Sequence, residues 1–316
     1  MKKIFGLIAA LALMTGCDDG DMSFKTFDFS TITATPCTGE NIDGYLYYKV
    51  SGSEVLILAI PEGTLINSST LNPATNEHVP RTINITPTSG TKITYREYNK
   101  TGISVCQPKL EDLVVEEWSG TGTISIVTTP RTNSLNKITG YTHTITLQNI
   151  TFNKGDESVT INNNLFGAVI SEYGFTFDFI PTGSETPNVQ SCGNSANLLA
   201  TLKGNNGLEM ILSNPSSAFK NEVGTVSVPV DETNNKILRI CEPGGSTLPN
   251  PVQGKRWIAT AGTIEVKTTQ TAGIYSHAIH LKGITFSNRD IIGEFFNLND
   301  VATITTEGYF FGNYNP

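Results

Sequence analysis

The chain has 316 residues, 29 acidic against 21 basic side chains, a formal charge of −8 and 38% apolar content. That balance gives a folded protein of about two domains and excludes global disorder. Without a basic stripe anywhere, so acidic a body also excludes a nucleic-acid partner, since affinity for phosphate backbones comes from clustered Lys and Arg.

In chain order, Lys2 and Lys3 precede an apolar run over 4–14. The run is too short to span a bilayer, which takes about 20 helical residues, and this basic-then-apolar form is that of an export signal. It ends Leu13-Met14-Thr15-Gly16-Cys17, which resembles the lipobox of bacterial lipoproteins cleaved by the lipoprotein signal peptidase. The resemblance covers residues 1–17. It implies cleavage before Cys17, a diacylglyceryl thioether on that sulfur and acylation, by palmitate or a similar chain, of the new amino group. Residues 1–16 are then a signal peptide and 17–23 a tether. The mature protein, with 19 basic and 29 acidic residues, is expected on the cell envelope, at the outer membrane, with the lipid of Cys17 as its membrane partner. Several acyl chains anchor firmly, because each buried methylene contributes ~0.8 kcal/mol. The acidic tether Asp18-Asp19-Gly20-Asp21 spans roughly 20 Å fully extended, so the first domain is expected close to the lipid surface.

The first folded segment, Thr26-Phe27-Asp28-Phe29, returns as Thr176-Phe177-Asp178-Phe179. Alternation puts both rings on one face and leaves Asp28 and Asp178 toward solvent. Strands follow over 44–50 and 55–60 around Gly52, and over 198–202 and 208–212 around Gly204-Asn205-Asn206-Gly207, a strong turn signal. Both hairpins end at a proline, Pro61 and Pro215, and Asn214 with Pro215 suits the start of a short helix over 216–221. Further strands are expected over 82–86, 92–98 and 103–106, then over 225–228 and 236–241.

The next stretch is written twice. Gly122-Thr123-Ile124-Ser125-Ile126-Val127-Thr128-Thr129 returns as Gly262-Thr263-Ile264-Glu265-Val266-Lys267-Thr268-Thr269, matching at five of eight positions, and residues 141–152 match 275–286 at seven of twelve. The loop between the blocks shrinks from eleven residues, 130–140, to five. In both copies the apolar parity is odd at Tyr141, His143, Ile145 and Leu147 (Tyr275, His277, Ile279 and Leu281), then even at Ile150 and Phe152 (Ile284 and Phe286). One extra residue has to be absorbed near Gln148-Asn149 and Lys282-Gly283, which is what a β-bulge does. Short strands with turns between them give an all-β fold: two tandem homologous β-sandwich-like domains, 24–171 and 174–316, with minimal helix and a boundary around 168–174.

Besides Cys17 there are Cys37, Cys106, Cys192 and Cys241, which allow three pairings. Cys106-Gln107-Pro108 matches Cys241-Glu242-Pro243, and each copy owns one early and one late cysteine. The expected disulfides are Cys37–Cys106 and Cys192–Cys241, each stabilising its domain by ~4 kcal/mol in an exported, oxidising setting. A zinc site lacks Cys-x-x-Cys spacing and a neighbouring His, so no metal is expected.

His143 and His277 share the register of the apolar positions and point at a buried face, where a satisfied core histidine is the common case and a ligand contact the sharper one. His280 falls on the opposite face. Trp118 and Trp257 stand at equivalent places and either close the cores or stack on a sugar. Carboxylates gather at Glu111, Asp112, Glu116 and Glu117, and at Asp231 and Glu232, without calcium-loop spacing. Nucleophile elbows, zinc-helix motifs and phosphate loops do not occur, and no cofactor is expected. The pattern fits a non-catalytic envelope lipoprotein, a structural or binding module with an envelope protein or a glycan as partner. The alternatives are a glycan-binding accessory lipoprotein and an envelope enzyme with a loop-borne site. Local function is expected where the copies differ: 130–140, 66–81 and 111–117.

Overall fold

A computed structural model of the chain describes residues 27–37, 45–172, 186–187, 189–191, 198–203, 206–239 and 257–315. The fold is all-β. The first copy runs β1 (Thr35–Pro36), β2 (Tyr45–Ser51), β3 (Glu54–Ile60), β4 (Leu71–Asn72), β5 (Glu77–His78), β6 (Arg81–Ile85), β7 (Lys92–Tyr98), β8 (Val114–Thr132), β9 (Ile138–Lys154), β10 (Glu157–Ile161) and β11 (Asn164–Glu172). The second runs β12 (Val189–Ser191), β13 (Leu198–Lys203), β14 (Asn206–Leu212), the helical turn α1 (Pro215–Ala218), β15 (Gly224–Pro229), β16 (Asn235–Arg239), β17 (Trp257–Thr271), β18 (Ile274–Asn288), β19 (Phe295–Asn297), the turn α2 (Leu298–Val301) and β20 (Tyr309–Tyr314).

Leaving out the small β4–β5 hairpin, nine described strands remain in each copy, and they pair in the same order except that β7 pairs β8 while, among the described residues, β16 and β17 share no ladder. β1-β2-β3-β7 corresponds to β12-β13-β14-β16, and β6-β8-β9 with β10 and β11 to β15-β17-β18 with β19 and β20. Tandem duplication is therefore visible strand by strand.

The long hairpins organise each copy. The first part of β8 pairs β7 and its later part pairs β6, while β9 pairs β11 with its first part and β10 with its last. Between the two parts sits the expected bulge: Thr121 faces Thr151 and Thr123 faces Gln148, so Asn149 and Ile150 oppose Gly122 alone. In the second copy Lys282 and Thr285 face Thr263 and Ala261, leaving Gly283 and Ile284 opposite Gly262. The bulged residues Asn149 (φ 50°) and Gly283 (φ 60°) are left-handed, which Asn and Gly adopt most readily. Opposite them, a Cβ on Gly122 would come 2.5 Å from the Asn149 carbonyl, and one on Gly262 2.9 Å from that of Lys282. The bulge shifts parity so that Ile145 and Leu147 on one arm and Ile150 and Phe152 on the other face a single core with Leu58, Tyr95, Trp118 and Phe166.

A second bulge leaves Phe166 unpaired in β11 and Phe311 unpaired in β20, both buried. There β11 approaches the segment before β1, where Gly167 meets Ala34, and β20 approaches β12, where Gly312 meets Val189 and Pro187. In the first copy one nine-stranded sheet thus curls until its N-terminal end nears β11, and in the second the four-stranded sheet meets the five-stranded one along β12 and β20.

Some expectations need correction. Residues 103–106 are turn and coil, not strand, and Phe27 and Phe29, although buried around exposed Asp28, lie in coil. β11 runs to Glu172, one residue past the end expected for the first domain. The short helix forms as one turn, with Pro215 at its start and the Asn214 side chain accepting from the Ser217 amide at 3.3 Å. Residues 176–179, Cys192 and Cys241 lie outside the described residues, as do residues 1–26. Among the described residues, no helix is long and apolar enough to cross a membrane.

Where the copies differ, the first touches the second. The loop expected over 130–140 is shorter, since β8 runs to Thr132 and β9 starts at Ile138, and Lys137 in the remaining turn donates to the carbonyl of Asn299 in α2 at 2.6 Å. Gly63 packs beside Ile291 and Ile66 beside Gly293. Ile291 is buried, whereas its neighbour Ile292 is 94% exposed, so the contact selects one residue of that loop.

Candidate functional site

The two duplicated histidines occupy one position in two settings. His143 is fully buried, with Nδ1 3.0 Å from the Thr128 hydroxyl and Nε2 3.1 Å from Asn67 Oδ1 and 2.9 Å from Ser171 Oγ. Ser171 donates its own proton to Asn67 Oδ1, so its oxygen accepts from the ring. Nε2 therefore carries the proton and Nδ1 accepts from Thr128. Arg81 donates to the Thr128 hydroxyl at 2.9 Å, to the Ile66 carbonyl at 3.3 Å and to the Ser68 carbonyl. Thr70 joins by accepting from the Thr128 amide at 3.0 Å. The network ties the 66–81 stretch, where the copies differ in sequence, to β8, β9 and β11.

His277 has the matching bond, Nδ1 to the Thr268 hydroxyl at 2.8 Å. Around it, however, Phe219 and Tyr314 take the space, with ring centroids 5.3 and 6.4 Å away. Its Nε2 finds no hydrogen-bond partner among the described residues. Desolvation holds its pKa below the usual histidine value. His280 lies on the other side of β18, against Phe310 and 3.5 Å from Glu307, and burial lowers its pKa as well.

Trp118 is 2% exposed and Trp257 6%. Trp118 meets Phe27 edge-on at 5.5 Å, with the Lys154 ammonium 5.6 Å over its ring, and Trp257 packs on Phe296 at 4.6 Å. An additional bulge at Thr260 in β17 brings the two into register: Ser119 faces Asn153 as Ile258 faces Ser287. The four residues weighed as ligand contacts, His143, His277, Trp118 and Trp257, all stand in cores and not on a surface.

Three carboxylates of the acidic run, Glu111, Glu116 and Glu117, are paired in place. Glu117 accepts from Arg96 at 2.5 Å and Lys109 at 3.3 Å, Glu111 pairs with Lys109 at 2.9 Å, and Glu116 with Lys154 at 2.7 Å. Burial works against ionisation of Glu117, but its bonds to Arg96 and Lys109 outweigh it and lower the pKa. Asp231 is held low by the amides of Asn234 and Thr233, and Glu232 pairs with Arg289. Among the described residues, no three His, Cys, Asp or Glu side chains are grouped as a metal ion would need.

The expected Cys37–Cys106 disulfide is present, joining residues 69 apart with a Cα–Cα distance of 5.4 Å. It fastens the 99–113 segment over the outer face of β2, β3 and β7, where Val55, Ile57, Tyr98 and Val105 form a second small core. This explains the unbroken apolar run of β3: Leu56, Leu58 and Ile60 face the main core while Val55 and Ile57 face the covering segment.

One buried group was missed from the sequence. Lys49 is 2% exposed, and its ammonium donates to the carbonyls of Phe29 at 2.8 Å and Leu165 at 3.1 Å, 5.5 Å over the Phe166 ring. Desolvation lowers its pKa. It fills the seam where β11 approaches the N-terminal segment. Its counterpart in the second copy, by hairpin register, is buried Thr201.

No protein-family model, curated protein or solved structure matches this chain.

Proposed function

We propose that the chain is a cell-envelope lipoprotein, anchored through Cys17, whose paired β domains act without catalysis as a structural or binding module. The observation that carries the reading is the Leu13 to Cys17 lipobox after a basic, short apolar leader. The Cys37–Cys106 disulfide supports it, because such bonds persist in oxidising, exported compartments. The non-catalytic part rests on where the best candidate bases went. His143 holds one segment of the protein to another, and His277 is sealed by aromatic rings. A glycan-binding role through the tryptophans loses its support, since neither offers a face on which a sugar could stack.

Labelling cells with a palmitate analogue tests the anchor. Wild type is expected to carry label and Cys17→Ala to lose it; label on both, or on neither, overturns the reading. Protease treatment of intact cells then separates a surface-facing module, which is cut, from a periplasmic one, which is protected.

A further inference from the structure

We propose that the 99–113 segment is a releasable cover over an apolar face of the first domain, held shut by the Cys37–Cys106 disulfide, so that thiol–disulfide exchange uncovers that face while the main core stays folded.

The face is built in the first copy, and among the described residues it has no counterpart on β14. Val55 and Ile57 of β3 and Tyr98 of β7 are buried on the side away from the main core, with half-buried Leu46, Tyr48, Ile103, Leu113 and Val114 around them. The hairpin register places Gly207 and Glu209 of β14 where β3 has Val55 and Ile57. Duplication thus kept the inner face in both copies and made the outer face apolar in one.

The cover itself holds on weakly. Of residues 99–113 only Val105 is buried; Ile103, Cys106, Lys109 and Leu113 are half-buried and the rest exposed. The segment has no strand, only turns and a single 3-10 turn at Glu111–Leu113. One buried valine and a half-exposed Lys109–Glu117 pair do not offset the entropy of ordering so many residues. The covalent link supplies the missing constraint by pinning Cys106, in the middle of the cover, to Cys37 beside β2.

The exchange balances with a dithiol reductant, named here by class. Its thiolate attacks one sulfur of the bond, the Cys37–Cys106 bond breaks, and a mixed disulfide forms while the other cysteine leaves as thiolate. The reductant's second thiol then displaces the protein sulfur. The protein gains two electrons and two protons, and the reductant becomes a disulfide. Both cysteines are half-buried, so the attack does not require the core to open.

Hydrogen exchange by mass spectrometry on the full mature chain tests this, oxidised, reduced with a dithiol, and as Cys37→Ser/Cys106→Ser. The double variant isolates this bond from any other cysteine pair. Reduction and the double variant are each expected to raise exchange across 99–113 by roughly 100-fold, leave 145–152 protected, and create binding of an apolar-surface dye. Val105→Ala in the oxidised protein is expected to leave the cover closed. Unchanged exchange across 99–113 after reduction would show that the cover holds without its bond. An equal rise across 145–152 would show that the bond holds the whole domain. Either result overturns the proposal.

Discussion

At the scale of single residues, burial shifts the cationic groups His277, His280 and Lys49 in one direction, toward the neutral form. His277 and His280 are held below the ordinary histidine pKa of about 6.5 by desolvation. As pH falls, the unfolded chain therefore takes up these protons first. Their contribution to stability is complete above about pH 6.5 and is lost as pH falls from there through the lowered folded-state values. Urea midpoints are expected to drop between pH 7.5 and 5, and His277→Gln to flatten that slope; identical slopes would contradict the assignment. Lys49 has the same sign at the other end of the scale, with stability rising as pH climbs through the window below about 10.5. Lys49→Ala strands the carbonyls of Phe29 and Leu165 and is expected to cost about 2–4 kcal/mol in chemical denaturation. This lysine was not legible beforehand, because the more apolar parity of β2, Leu46, Tyr48 and Val50, is the one turned from the main core, and the Leu165 partner lies 116 residues away.

At the scale of elements, the bulge was the feature most legible in advance. A switch from odd to even apolar positions in two copies requires one extra residue, and the register delivers it at Asn149-Ile150 and Gly283-Ile284. The glycines opposite are the sensitive sites. Gly122→Ala or Gly262→Ala brings a methyl against backbone at a φ of 146° or 124° and is expected to cost about 1–3 kcal/mol, read as a shift in the thermal midpoint. Asn149→Gly, which installs the residue the second copy already uses, is expected to stay within about 0.5 kcal/mol of wild type. The strand expected over 103–106 failed for a reason of the same kind. Its apolar residues serve a covering segment pinned by Cys106, and burial from above imitates strand alternation.

At the scale of the whole molecule, the differences between the copies became contacts. Lys137, in the 133–137 turn between β8 and β9, reaches α2, and Gly63 and Ile66 meet Ile291 and Gly293, so two of the regions in which local function was expected, 130–140 and 66–81, touch the second copy through Lys137 and Ile66. Replacing residues 130–140 by the five-residue loop of the second copy is expected to raise hydrogen exchange over 291–302 and to leave both cores protected; unfolding of either domain would contradict this. Pairing order was legible from the repeat, whereas contact between domains was not, because it depends on residues the repeat does not share.

The proposed lipid anchor on Cys17 is tested most directly by intact-mass spectrometry of the protein purified from its native membrane. The expected product begins at Cys17 and carries a diacylglyceryl group with a further acyl chain. A chain that retains residues 1–16, or that lacks lipid on Cys17, would contradict it.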